Sequence, residues 1–399
     1  MSMERAFEQL VERLKRRGID VEEVLKELRE LKFELPSWAF SDAGTRFAVF
    51  HEKGAARNVY ERIEDASVVH RLTGCCPSVA LHIPWDKVED WEALKEFAKE
   101  KGLKIGAINP NLFQDPDYKF GSLTHPSEKV RKKAIAHILE CVEIAEKVGS
   151  KVISLWLADG TDYPGQDDFR SRKRRLEESL KVVYENTPKD MYLFIEYKFF
   201  EPAFYHTDIP DWGTAYLLCE KLGERAKVLV DLGHHPHGTN VEQIVAYLLS
   251  ERRLGGFHLN GRKYADDDLT IGSINPYEVF LIFKEVIFAK RDDELKESAK
   301  EVTFTFDQAH ITKHKVLAMI QSVMLAQELF AKALLIDVNR LRRAQQDLDV
   351  VEAEEVLREA FFEDVKPLLW KLRKDAGIPE DPLKAYKEGK HEDKRRERG

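Results

Sequence analysis

The stretch VLVDLGHHPHG (228–238) sets a short apolar, largely β-branched run, Val228-Leu229-Val230, directly before a carboxylate and a pair of histidines, and closes on a turn containing Pro236 and Gly238. Runs of this composition are the buried strands of parallel sheets, covered on both faces, where polar residues are costly. Asp231, His234, His235 and His237 at the end of such a strand point to a site. In the competing reading Asp231 caps the next turn and the histidines lie on a wet loop.

The same pattern recurs on both sides of this stretch. Apolar runs at SVALHIP (78–84), LKIGAINP (103–110), KVISLWLADG (151–160), MYLFIEYK (191–198), AKVLVDLGH (226–234), GGFHLNG (255–261) and EVTFTFDQ (301–308) are separated by amphipathic helical segments, and PSWAF (36–40) supplies a first run. Eight alternating strand–helix units predict a parallel sheet closed into a (β/α)8 TIM barrel over 34–330. An open doubly wound sheet is the competitor, but no glycine-rich dinucleotide fingerprint follows any strand. Two helices precede the barrel within 1–33, the first with Phe7, Leu10, Val11 and Leu14 at helical spacing and the second opening at Asp20. A helical extension follows over 331–387, and the charged tail 388–399 reads as frayed or disordered. The segment 34–58 is mostly a long loop, of the kind that covers a site or a partner.

The composition narrows the function classes. A charged fraction of 34% and a negative mean hydropathy predict a soluble protein, and no apolar run approaches the roughly 20 residues of a membrane span and no leader-like start is visible, which predicts a cytoplasmic location and no membrane partner. A net charge of -8 opposes a nucleic-acid partner, since the basic runs at 170–175 and 394–398 sit among acids. Cys75, Cys76, Cys141 and Cys219 have neither zinc spacing nor a disulfide framework.

Active sites of such barrels lie at the C-terminal ends of the strands. Those ends are unusually polar here: His82, Asn109, Trp156 with Asp159, Glu196 with Lys198, Asp231 with His234, His258 with Asn260, and Asp307 with Gln308 and His310. Alternation places residues two apart on one face, so four successive strands deliver Glu196, Asp231, His258 and Asp307 to one place. Three carboxylates so close cannot all stay ionised without a cation. This oxygen-rich set fits Mn²⁺, Mg²⁺ or Co²⁺ better than structural zinc. His234, Asp266 and Asp268 offer a second set, with Glu196 bridging to the first; the alternative for the acidic 266–268 loop is a solvated turn.

Two hard divalent ions without a nucleotide site or a Cys or Ser nucleophile suit the clamping of adjacent polyol oxygens and polarisation of a carbonyl, as sugar aldose–ketose isomerisation requires. Lys198 would stabilise a developing alkoxide, His82 would bond a sugar hydroxyl or shuttle a proton, and Trp156 would wall the sugar. Their structural alternatives are charge neutralisation, a satisfied core histidine and plain packing.

PSWAF...GTRF (36–47), SVALHIPWD (78–86), VDLGHH (230–235), GGFH.N..KY.DDDLT.GSI.PY (255–277) and TFDQAH (305–310) together resemble the bacterial L-rhamnose isomerases of the broad-specificity type, over roughly 34–330 in the same order. The resemblance implies a (β/α)8 barrel assembled as a homotetramer, two Mn²⁺-type ions per subunit, and interconversion of L-rhamnose and L-rhamnulose with tolerance of other aldoses. It implies that Glu196, Asp231, His258 and Asp307 hold the structural metal, with Asp307 also catalytic, and that His234, Asp266 and Asp268 hold the catalytic one. Lys198, His82 and Trp156 match substrate-contacting positions, and Phe47 matches an aromatic that enters a neighbouring subunit's site. One departure is Gly261, which follows Asn260 where the family pattern has an acidic residue. A related sugar epimerase or other isomerase is the nearest alternative; a metal-dependent phosphodiesterase would want a basic face and more histidine ligands.

Overall fold

In a computed structural model that describes residues 2–45, 48–200 and 207–398, eight parallel strands close into a barrel. The strands are β1 (Glu34–Pro36), β4 (Ser78–Ile83), β5 (Lys104–Pro110), β6 (Val152–Leu155), β7 (Tyr192–Glu196), β8 (Ala226–Asp231), β9 (Leu254–Leu259) and β10 (Thr303–Phe306). Each pairs with the next in chain order and β10 pairs with β1. Between β1 and β4 lies a small antiparallel hairpin of β2 (Ala43–Gly44) and β3 (Val49–Phe50).

Alternation along the strands explains both faces of the wall. On β9 and β10 the Phe257 and Phe304 rings stack at 5.5 Å, and Phe283 and Phe330 of the covering helices Pro276–Lys290 and Lys315–Leu334 pack edge-on around them. The residues between, His258 and Thr305, are register partners. Inside the barrel Phe194 occupies space that side chains on β9 would otherwise take: a Cβ on Gly255 would lie 2.6 Å from its ring. The loops entering the helices are fixed by side-chain caps, including Asn58, Asp90, Asp168, Asp211, Asn240 and Asn275, whose oxygens accept first-turn N–H groups.

Four features differ from the sequence expectation. The first strand ends at Pro36, and Ser37–Phe40 form a 3-10 turn because Ser37 Oγ donates to Asp86 (2.5 Å) and Trp38 Nε1 to Asp307 (2.9 Å), pulling this segment across the mouth. Within the helical extension, the segment 351–375, which reads as one helical stretch, is two helices, Val350–Phe362 and Lys366–Asp375, the second opening on a proline. Lys315–Leu334 is long and apolar enough to cross a membrane by length and composition, but 67% of its apolar window is buried against the barrel and the N-terminal helix Val21–Glu30. The charged tail is docked: His391–Arg396 is helical, and Arg395, only 2% exposed, pairs with the buried Asp65 at 3.2 Å. Composition marks solvation, but two buried ion pairs to one carboxylate override it, since Arg398 also reaches Asp65 at 2.9 Å. All four cysteines are buried and free.

Candidate metal centre and active site

Register, more than chain order, builds the mouth. Asp231 at the end of β8 lies directly beside His258 of β9, and Asp307 follows β10 with its N–H bonded to Leu259 O at 3.2 Å. His258 Nδ1 consequently faces three carboxylates: Glu196 Oε1 at 3.3 Å, Asp307 Oδ2 at 3.4 Å and Asp231 Oδ2 at 3.7 Å. One ligand atom from each of these four residues falls in a single compact cluster, and a second cluster joins Asp231, His234 and Asp266.

The two clusters share Asp231, where the sequence expectation had Glu196 bridging. Asp231 is fully buried, and its Oδ1 is already committed to Gly233 N–H (2.6 Å) and Asn260 Nδ2 (3.0 Å). Oδ2, which also accepts from Asn260 Nδ2 at 3.2 Å, points toward both histidines, 3.7 Å from His258 Nδ1 and 4.0 Å from His234 Nε2. His234 Nδ1 is held by Tyr197 O at 3.0 Å, which directs Nε2 at Asp266 Oδ1, 3.3 Å away. Such a backbone anchor fixes the ring nitrogen left for coordination. Glu196 also touches His234, at 3.2 Å from Nδ1. Asp268 lines the same cavity but falls outside both clusters, 3.5 Å from Asn260 Nδ2 and in a left-handed backbone conformation with φ 46.

Charge in the site is balanced by protons. Burial alone would depress His258, but Glu196, Asp307 and Asp231 outweigh it and push the imidazole up to about 10. His234 is likewise raised against its burial, to about 9, by Asp231, Asp266 and Glu196. Burial pushes Asp231 up to about 7, with His234 opposing and Glu196, Asp266 and Asp307 reinforcing. Burial, then Asp266, Asp307 and Asp231, holds Asp268 well above the carboxylate range. Asp266 sits well below that range despite burial, because His234 and Lys198 stabilise its charge. Donor chemistry thus fits a divalent cation: one ligand atom each from buried carboxylates and imidazoles converges in two compact clusters.

Much of the remaining cavity wall is aromatic. Trp38, Trp85, Phe113 and Trp156 line it together with the acids. His82 stacks on Trp85 at 3.8 Å, its N–H is anchored by Asp86, and burial, then His137 and Arg62, holds its imidazole down at about 3. His82 Nδ1 and Trp156 Nε1 are buried without hydrogen-bond partners among the described residues. Lys198 Nζ lies 5.1 Å over the Trp156 ring and pairs with Asp266 Oδ2 at 2.6 Å.

Other polar strand ends brace rather than converge. Asn109 bonds Leu81 O, Asp159 ties down Ser122 and Thr124, and Gln308 holds Leu269 O and Ser322. Phe47 lies outside the described residues. Sequence reading missed Trp38 as a partner of Asp307, and His235, which is buried with Nε2 2.6 Å from Tyr197 Oη. The tight Asp-Leu-Gly-His-His spacing was the available signal for His235, because its neighbour His234 points the other way. Gly261 exchanges backbone bonds with Leu269, and a Cβ there would lie 2.9 Å from Thr270 O, so the departure at this position accompanies a close approach of the acidic loop.

Residues 76–290 match the family described as xylose isomerase-like TIM barrel. A probable sugar isomerase of Rhizobium meliloti is 42% identical over 393 residues, covering 97% of this chain and 90% of the relative. The L-rhamnose isomerase of Bacteroides thetaiotaomicron is 23% identical over 399 residues, covering 92% and 90%. Among solved structures, an L-ribulose 3-epimerase superposes with a TM-score of 0.52 at 14% identity, over 83% of this chain and 97% of that one, a likeness of fold alone.

Proposed function

Since the chain belongs to the xylose isomerase-like TIM-barrel family and, with it, to the sugar isomerases, we propose that it is an L-rhamnose isomerase, interconverting L-rhamnose and L-rhamnulose and accepting other aldoses at a site for two divalent ions, Mn²⁺ foremost and Co²⁺ or Mg²⁺ as substitutes. The observation that carries the proposal is the convergence of Glu196, Asp307 and Asp231 on His258 Nδ1, within 3.7 Å, beside a cavity with an aromatic wall. Charge supports the number of ions. With both histidines neutral, the carboxylates of Glu196, Asp231, Asp266, Asp268 and Asp307 against the single ammonium of Lys198 leave a formal deficit of about four, which two divalent cations cancel. The substrate rests on the motifs at 255–277 and 305–310 and on the likeness to the Bacteroides enzyme.

Bound divalent cations supply Lewis-acid polarisation of a carbonyl and acidify a coordinated hydroxyl. The chain's own groups do the rest. Isomerisation moves one hydrogen from C2 to C1 and one proton from O2 to O1. Lys198 Nζ, held between Asp266 and the Trp156 ring, is placed to stabilise the developing alkoxide. His82, neutral at pH 7, offers Nδ1 to a sugar hydroxyl, and Trp156 presents both an apolar face and an unpartnered N–H. Asp307, locked by Trp38, keeps its second oxygen toward His258. The partner is a small sugar rather than nucleic acid or a membrane, and a homotetramer would let Phe47 complete a neighbour's site.

The test is a product assay. Chelator-dialysed protein reloaded with Mn²⁺ should form ketose from L-rhamnose, and at lower efficiency from L-mannose, L-lyxose or D-allose. Full activity after chelation, or ketose from none of these sugars, would overturn the proposal.

A further inference from the structure

A second cavity lies far from the mouth, in the seam between the docked tail and helix Val59–Thr73. Its wall carries five cations, Arg71, Lys101, Lys394, Arg395 and Arg398, against only two acids, Glu64 and Asp65, in a chain whose net charge is -8. Both acids are spoken for. Asp65 accepts from Arg395 (3.2 Å) and Arg398 (2.9 Å), and Glu64 from Arg398 (3.4 Å) and Lys101 (3.6 Å). Three donor groups remain uncompensated. Arg395 Nη2 is buried with no partner, Arg71 donates only to the neutral Ser67 Oγ, and Lys394 has no ion pair among the described residues. His391 on the same wall feels the excess: burial, then Arg71 and Lys394, holds its imidazole below the usual range.

A buried guanidinium edge without a partner is costly unless something satisfies it, and guanidinium forks match tetrahedral oxyanions bidentately. We propose that this cavity binds a small phosphate-bearing anion, inorganic phosphate or a phosphate monoester, between Arg71, Lys394 and the free edge of Arg395. Phosphate carries about −1.5 to −2 charges at neutral pH, and the lining's excess of three cations over acids is offset in part by Glu392, 3.3 Å from Arg395 Nη1. Bound there, it ties the tail helix to Val59–Thr73. The same tail also packs on the loop that carries the β2–β3 hairpin, because Arg395 O lies 3.0 Å from where a Cβ on Gly54 would sit.

The site is independent of the isomerase reading, and calorimetry on the full chain tests it. Titrations with inorganic phosphate and with glycerol 3-phosphate, against sodium chloride at matched ionic strength, should show saturable binding of one phosphate group per chain. The double variant Arg71→Gln/Lys394→Gln removes two donors without touching the ion pairs that dock the tail. It should bind at least tenfold more weakly while melting at the parent's temperature without ligand. Lys198→Met, which removes the cation of the mouth, should leave phosphate binding unchanged. No saturable heat with either probe, equal affinity in the double variant, or loss in Lys198→Met would each overturn the proposal.

Discussion

Loading the metal centre should expel protons. In the metal-free site His258 and His234 titrate at about 10 and about 9, so both imidazoles are charged at pH 7.5. His258 must give up its proton at Nδ1, the nitrogen facing Glu196, Asp231 and Asp307. His234 keeps the proton it donates to Tyr197 O and must lose the one at Nε2. Full occupancy therefore releases at least two protons per chain, because a ligating nitrogen has to be bare and the raised carboxyls of Asp268 and Asp307 add to the release as they ionise. Asp231, near 7, adds a fraction below that pH. Calorimetric titration with Mn²⁺ at pH 7.5 in two buffers of different ionisation enthalpy reads this number as the slope of observed heat against buffer enthalpy. Affinity at each position should rise about tenfold per pH unit, levelling near pH 9 for the His234 position and near pH 10 for the His258 position. A slope near zero at pH 7.5 would refute the placement of these two rings among the carboxylates.

The metal-free protein should lose stability as pH rises. The folded-state values of His234 and His258 exceed the unfolded value near 6.5, so their contribution is complete below pH 6.5 and is lost on passing through about 9 and about 10; a melting temperature that rises over that window would contradict it. Lys198→Met should lower kcat by about 10²- to 10⁴-fold with a smaller change in KM, and an unchanged kcat would remove Lys198 from the chemistry. Gly261→Ala drives a Cβ to 2.9 Å from Thr270 O and should cost about 1–3 kcal/mol, seen as a lower midpoint in thermal unfolding; an unaltered midpoint would mean the loop yields freely. Asp65→Ala strips the shared partner from Arg395 and Arg398 and should cost about 3 kcal/mol, with protease cleavage appearing near 391–398; an intact, protease-resistant tail would show that packing alone docks it.

Residues whose placement depends on strand period alone were legible in the sequence. Glu196, Asp231, His258 and Asp307 sit at strand ends, where alternation and barrel closure leave little freedom, and they converge as spacing requires. What depends on register between strands or on hydrogen bonds of one oxygen was not. Asp231 stands in both clusters because its Oδ2 lies between two imidazoles, 3.7 Å from His258 Nδ1 and 4.0 Å from His234 Nε2, a detail that no spacing encodes. Asp268 lines the same cavity as Asp266, and the left-handed backbone that sets its carboxylate 3.5 Å from Asn260 Nδ2 has no signal in the acidic run. PSWAF carries strand composition, yet Trp38 finds its partner across the mouth in Asp307, and a tertiary bond overrides local propensity. The tail was misjudged for a similar reason: composition predicts solvation, while the two buried pairs to Asp65 are set by a helix more than three hundred residues earlier.

The two titration predictions share one cause, and this makes them a joint test. Five carboxylates facing one cavity would resist folding if each had to be buried ionised and uncompensated. The protons on His234 and His258, with the ammonium of Lys198 against Asp266, supply three positive charges, and the raised Asp231, Asp268 and Asp307 reduce the negative ones. Protons thus offset part of this negative charge in the metal-free fold. Acid favours the folded, metal-free protein, and alkali favours loading, through the same two imidazoles. If Mn²⁺ binding releases at least two protons, the metal-free protein has to weaken between pH 6.5 and 10. If it releases none, that weakening has no source in the site. Observing one effect without the other would separate metal binding from these histidines and assign it to the carboxylates alone.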